Sequence, residues 1–166
     1  TVIGTCSSAE KALALCKLGC DHIINHKTKD VGAALQKIAP SGVDVAFEGV
    51  GGTMLQTALD HLKEDGRLLQ VGYISEYPHN PDREAQSASH ELEASSLFWK
   101  SETITRGKQT IYGNAWPKDF GAVASCKQRV LDLYASGELV ALVDDKRTFE
   151  GLESVADAIE YMLSGA

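Results

Sequence analysis

Residues 43–74, VDVAFEGVGGTMLQTALDHLKEDGRLLQVGYI, read as strand, glycine turn, helix, glycine turn, strand. Val43, Val45, Ala46 and Phe47 make a nearly continuous apolar run before Glu48, the pattern of a strand buried on both faces of a parallel sheet. Met54, Leu55, Ala58, Leu59 and Leu62 recur at spacings of three and four, which gives one apolar helical face. Gly66 is expected to end that helix, and residues 67–71 to form a second apolar strand that runs into Gly72. Two such strands joined by a helix make a right-handed parallel crossover. Ligands of these sheets sit beyond the carboxyl ends of the strands, so residues 48–52 and 72–75 are the first places to look for chemistry.

The flanking sequence repeats the alternation. Residues 1–5 have the character of a buried strand, Ser8 is placed to cap a helix carrying Ala12, Leu13, Leu15, Cys16 and Leu18, and Gly19 ends it. Residues 22–25 follow as a short strand. Val31, Ala34, Leu35 and Ile38 mark another amphipathic helix, stopped by Pro40-Ser41-Gly42. Alternation of this kind predicts an α/β, doubly wound parallel sheet of Rossmann type. Residues 76–107 break the pattern with prolines, serines and acidic residues and read as an inserted loop or lid, with one or two helical turns near 92–100. Residues 102–106 and 109–112 compete as the next strand, and the latter is preferred. A long helix from Phe120 to Tyr134, a strand over 139–143 and a helix from Leu152 to Met162 complete the reading as one domain, 1–166.

The chain has 166 residues, 43% of them hydrophobic, and a net charge of -7, enough for one sizeable core and too acidic for a nucleic-acid or anionic-membrane partner. No apolar run reaches the length of a membrane span, so the expectation is a soluble protein without a leader, cytoplasmic, with peroxisome and mitochondrion left open. Cys6, Cys16, Cys20 and Cys126 contain no Cys-x-x-Cys pair, and the five histidines show no metal-ligand spacing, so no metal site is expected.

Two turns carry the chemistry. Small polar residues with a cation after a dinucleotide-fold strand accommodate a 2'-phosphate, whereas an acid there binds the free 2'-hydroxyl. Ser7 with Lys11 fits the former, although helix capping by Ser7 and Ser8 and a solvated Lys11 explain the same residues. Glu48-Gly49-Val50-Gly51-Gly52 and Gly72 have a similar pair of readings, as tight connections or as places where a ligand approaches the backbone. Glu48 reads more simply as a strand-end cap than as a catalytic group.

The runs VIGTCSSAEK, LGCDHIINHKT, GVDVAFEGVGG, GRLLQVGYIS and FEGLESVADAIEYMLSG resemble the cofactor domain of the medium-chain dehydrogenase/reductase superfamily, in its zinc-independent quinone oxidoreductase and prostaglandin reductase branch. The resemblance implies an NADP(H)-dependent oxidoreductase that delivers hydride to an activated alkene or quinone, with a small-molecule enone or quinone as substrate and a homodimer left open. It implies that Ser7 and Lys11 meet the 2'-phosphate, with His26 where the family more often has Tyr. Gly49 and Val50 match the turn after the family's fourth strand, where Ser or Asn is more usual than Gly49. Val71, Gly72, Tyr73, Ile74 and Ser75 match the segment after its fifth strand, and Asn114, Ala115 and Trp116 its nicotinamide side. No catalytic residue is assigned within the chain.

The family's first strand and glycine-rich pyrophosphate turn are expected upstream of Thr1, together with the catalytic domain, and its last strand after Ala166. The chain therefore reads as a partial domain, with a non-catalytic nucleotide-binding module or inactive fragment as the alternative function and another doubly wound domain, such as a methyltransferase, as a third. The strand that would join the two halves of the sheet, residues 1–25 and 43–113, is the one not found, so either a vacant slot or a direct pairing across it is expected between the first and third strands.

Overall fold

A computed structural model describes residues 1–76, 103–113 and 119–164. The expected helical turns near 92–100, most of the expected lid, and Asn114, Ala115 and Trp116 lie outside the described residues. The chain divides into two compact units, Thr1–Trp116 and Pro117–Ala166.

The first unit alternates as the sequence predicts. Strand β1 (Ile3–Cys6) pairs in parallel with β2 (His22–Asn25), and the intervening α1 (Ala9–Lys17) starts at Ser8, whose hydroxyl accepts from Lys11 N at 3.2 Å. Helix α2 (Val31–Ile38) is capped by Asp30, which accepts from Ala33 N at 2.6 Å, a cap the apolar spacing had not identified. Then come β3 (Val43–Glu48), α3 (Gly52–Asp60) and β4 (Leu62–Gln70), with β3 and β4 parallel. Beyond them β5 (Thr103–Arg106) and β6 (Gln109–Tyr112) form a hairpin through Gly107 at φ +61°, and β6 pairs in parallel with β4. Both competing strand candidates thus exist, and the end of the expected lid is strand.

The core of this unit lies between α3 and one face of the sheet. Leu55 and Leu59, four apart on α3, are buried with Leu62 and Leu68 of β4 and Ile111 of β6, and Leu68 and Ile111 are direct cross-strand partners. Full burial of side chains of this size contributes about 1.5–3 kcal/mol each. On the opposite face Phe47, Leu69 and Tyr112 form a row across three strands and remain exposed, Phe47 by 76%.

The helix and strand boundary in the central unit differs from the expected one. Helix α3 stops at Asp60, His61 is its C-cap, and Leu62 and Gly66 both belong to β4. Pairing passes from Val43–Leu62 directly to Val45–Arg67, so β4 carries extra residues in a bulge. The reason is polar satisfaction: Gln109 Nε2 donates to the carbonyls of Leu62 and Lys63 at 3.0 and 3.2 Å, and Lys63 Nζ pairs with Asp44 at 2.6 Å. A Cβ at Gly66 would come within 2.6 Å of Leu62, so a glycine sits there because the bulge folds back on itself, not because a helix ends.

The strands form two sheets, β1-β2 and β3-β4-β6-β5, and among the described residues β1 and β3 each leave one edge unpaired. Of the two arrangements the sequence reading left open, the direct pairing of β1 with β3 is not the one found. A single strand between β1 and β3 would complete the order of a doubly wound sheet.

The second unit consists of α4 (Phe120–Ala135), capped by Asp119 and ended at Ser136 and Gly137 (φ +79°), a 3-10 turn (Leu152–Ser154) and α5 (Val155–Leu163). Residues 139–143 are not a strand. Among the described residues of this unit no strand offers a ladder, and Val140, Leu142 and Val143 are exposed, so β composition without a partner leaves the segment irregular. Among the described residues no helix is long and apolar enough to cross a membrane.

One side chain breaks the polar accounting of the sheet. Gln70 is 2% exposed, and among the described residues neither Nε2 nor Oε1 has a hydrogen-bond partner. Burying such a group costs about 1–3 kcal/mol. Gln70→Val, close to it in volume, is expected to raise the urea midpoint with the m-value unchanged, by a stabilisation on the order of 1–2 kcal/mol.

Candidate functional site at the carboxyl ends of the strands

The first group of expected site residues gathers at the ends of β1 and β2. Ser7 and Lys11 are half-buried, and Lys11 Nζ lies 3.4 Å from Ser7 Oγ. His26 N donates to Cys6 O at 2.9 Å, which ties the residue after β2 to the end of β1, and its side chain is exposed. Helix capping falls to Ser8 alone, so the Ser7 hydroxyl is not explained by it.

The second group forms at the ends of β3 and β4. Glu48 is buried, and its carboxylate folds over its own turn: Oε1 accepts from Val50 N at 2.7 Å and Gly51 N at 3.0 Å, and Oε2 from Gly51 N at 3.1 Å. Gly51 (φ +79°, ψ -166°) and Gly52 (φ +53°) occupy backbone conformations that residues with a Cβ rarely adopt. The turn after β4 is packed directly on this one. Val71 N donates to Glu48 O at 2.7 Å, and Ser75 donates to Val50 O from both N (2.9 Å) and Oγ (2.6 Å). A Cβ on Gly72 would stand 2.8 Å from Gly49 O. The turns are thus one structure, and the sequence-predicted Gly49, Val50, Val71, Gly72, Tyr73, Ile74 and Ser75 are brought together in it.

The arrangement sorts the anion chemistry. Val50 N and Gly51 N, which lead into α3, already donate to Glu48 and are not offered to a phosphate. Lys11 and Ser7 instead supply a cation and a hydroxyl. Among the described residues no three His, Cys, Asp or Glu side chains are grouped to hold a metal ion. Sequence reasoning missed Gln70, although a lone amide in the apolar run Arg67-Leu68-Leu69-Gln70-Val71 was the available signal.

Comparison with known proteins fits this geometry. The family model described as zinc-binding dehydrogenase matches residues 1–130. The chain belongs to that family. The family is that of the cofactor domain of the medium-chain dehydrogenase/reductase superfamily. Among zinc-binding dehydrogenase relatives, prostaglandin reductase-3 of Mus musculus is 39% identical over 170 residues, covering 99% of this chain and 42% of the relative. A 2-alkenal reductase (NADP(+)-dependent) of Nicotiana tabacum is 42% identical over 166 residues, covering 99% of this chain and 44% of the relative. The Escherichia coli quinone oxidoreductase complexed with NADPH superposes with a TM-score of 0.70 at 22% identity, over 99% of this chain and 46% of that one, and speaks for the fold. The chain spans less than half the length of each of these proteins.

The two glycines at the contact between turns are predicted to respond differently to one methyl group. Gly72→Ala must push against the Gly49 carbonyl and is expected to destabilise the chain by about 1–3 kcal/mol. Gly49→Ala meets nothing within 4 Å and is expected to melt within about 0.5 kcal/mol of the parent. Paired thermal melts by circular dichroism compare them.

Proposed function

We propose that this chain is the NADP(H)-binding part of an oxidoreductase that reduces an activated alkene or a quinone. The observation that carries the reading is the Ser7 and Lys11 pair at the end of β1, a hydroxyl and a cation 3.4 Å apart at a strand end without an acid. Such a pair suits a 2'-phosphate and disfavours the bare 2'-hydroxyl of NAD. His26, held at the end of β2, flanks the same place. The relatives support the cofactor and the substrate class, since their names specify NADP(+) dependence, an alkenal and a prostaglandin.

In this reading the second group of residues receives the rest of the dinucleotide. Gly49 and Gly72 present little side-chain bulk where a ribose approaches the backbone. Val50 and Val71, both exposed, supply apolar contact. Asn114, Ala115 and Trp116 are assigned to the nicotinamide side on family resemblance. Bound NADPH supplies the hydride, and the residues of this chain bind and orient. Orientation of the substrate, and the donor that stabilises charge on its carbonyl oxygen, are assigned to the part of the protein that this chain does not span. Both compact units are taken as parts of one cofactor domain.

Saturation-transfer NMR with 2'-phospho-AMP and 5'-AMP tests the assignment. The former is expected to bind more tightly, and Lys11→Met to weaken it by roughly tenfold, the loss of one charge-assisted contact worth about 1.4 kcal/mol, while leaving 5'-AMP unaffected. Equal binding of the two nucleotides would contradict the NADP assignment.

A further inference from the structure

We infer that Glu48 is a positioning residue, which sets the shape of both glycine turns from beneath and thereby the affinity for the part of the dinucleotide remote from the 2'-phosphate. The inference rests on the cofactor reading for its consequence but not for its geometry. Glu48 ends β3, and its carboxylate holds the amides of Val50 and Gly51. Val50 in turn presents its carbonyl to Ser75, which donates to it twice. The path from the carboxylate to the second turn therefore runs through one peptide unit on each side of Val50. Gly49 and Gly72 are in backbone contact across the same seam, so movement of the first turn has no room that the second does not yield.

Gln70 is the direct cross-strand partner of Glu48 and is equally buried, yet among the described residues its amide makes no hydrogen bond. The cap residue of α3 is Gly51, with no side-chain cap of its own. Removing the carboxylate leaves the amides of Val50 and Gly51 without this acceptor, that of Gly51 in a buried position. The Ser7 and Lys11 pair follows β1, which lies in the other sheet.

Amide-resolved hydrogen exchange on the 166-residue chain, with nucleotide binding on the same samples, tests this. In Glu48→Ala, exchange is expected to quicken by roughly tenfold or more at Ser75 as well as at Val50 and Gly51, with Thr5 and Ile24 of the β1-β2 sheet unchanged. Glu48→Gln keeps one carbonyl oxygen in the position of Oε1 and is expected to restore most of the protection. Leu59→Ala, which weakens the core without touching the turns, separates a local effect from general destabilisation. NADPH is expected to bind Glu48→Ala roughly tenfold more weakly, whereas 2'-phospho-AMP binding is unchanged. Unaltered exchange at Ser75 in Glu48→Ala, an equal rise there in Leu59→Ala, or undiminished NADPH affinity would each overturn the inference. If 2'-phospho-AMP binds neither the parent nor the variants, the cofactor reading fails, and the exchange pattern still decides whether Glu48 couples the turns.

Discussion

Parallel strands leave backbone groups unsatisfied at their carboxyl ends, and the chain must turn sharply there to enter the next helix. At the end of β3 this problem is solved by a buried carboxylate. Glu48 accepts from the two amides that follow it, and its own carbonyl accepts from Val71, so one residue closes the turn after β3 and anchors the start of the turn after β4. The glycines are consequences. Gly51 and Gly52 adopt the conformations the closed turn requires, and Gly72 is where the second turn comes too near Gly49 to carry a side chain.

Around that point the crossover of β3, α3 and β4 organises the first unit. Its core is small, with Leu55 and Leu59 set against Leu62, Leu68 and Ile111, and it lies on one face of the sheet only. The other face carries Phe47, Leu69 and Tyr112 exposed, and the edges of β1 and β3 are unpaired among the described residues. Exposed apolar rows and open strand edges both favour association. Among the described residues the strands stay in two sheets.

Much of this was legible in the sequence, for identifiable reasons. The strand and helix alternation up to β4 was readable because apolar spacing and turn residues agree, as at Ser8, Gly19 and Pro40-Ser41-Gly42. A vacant slot or a direct pairing between β1 and β3 followed from topology, which left the choice between them open. The bulge in β4 was not readable, because Gly66 after a leucine at helical spacing has the signature of a helix end, and the contact that decides the matter comes from Gln109, more than forty residues away. Residues 139–143 failed in the opposite sense: their composition suits a strand, but a strand exists only with a neighbour. At the site, the glycines and Ser7 with Lys11 were visible as types in places, whereas the joining of two turns through Val50 O and Ser75 depends on a register no local pattern encodes.

We propose that the carboxyl ends of β1, β3 and β4 bind one NADP(H), its 2'-phosphate at the end of β1 and the rest of the dinucleotide over the turns after β3 and β4. Titration of the uniformly 15N-labelled chain with NADPH at millimolar concentration addresses it most directly. The account predicts saturable shift changes concentrated at the amides of Ser7, Lys11, His26, Val50, Gly72 and Ser75, with those of α4 and α5 unmoved. Changes confined to the second unit, or none at saturating NADPH, would contradict it.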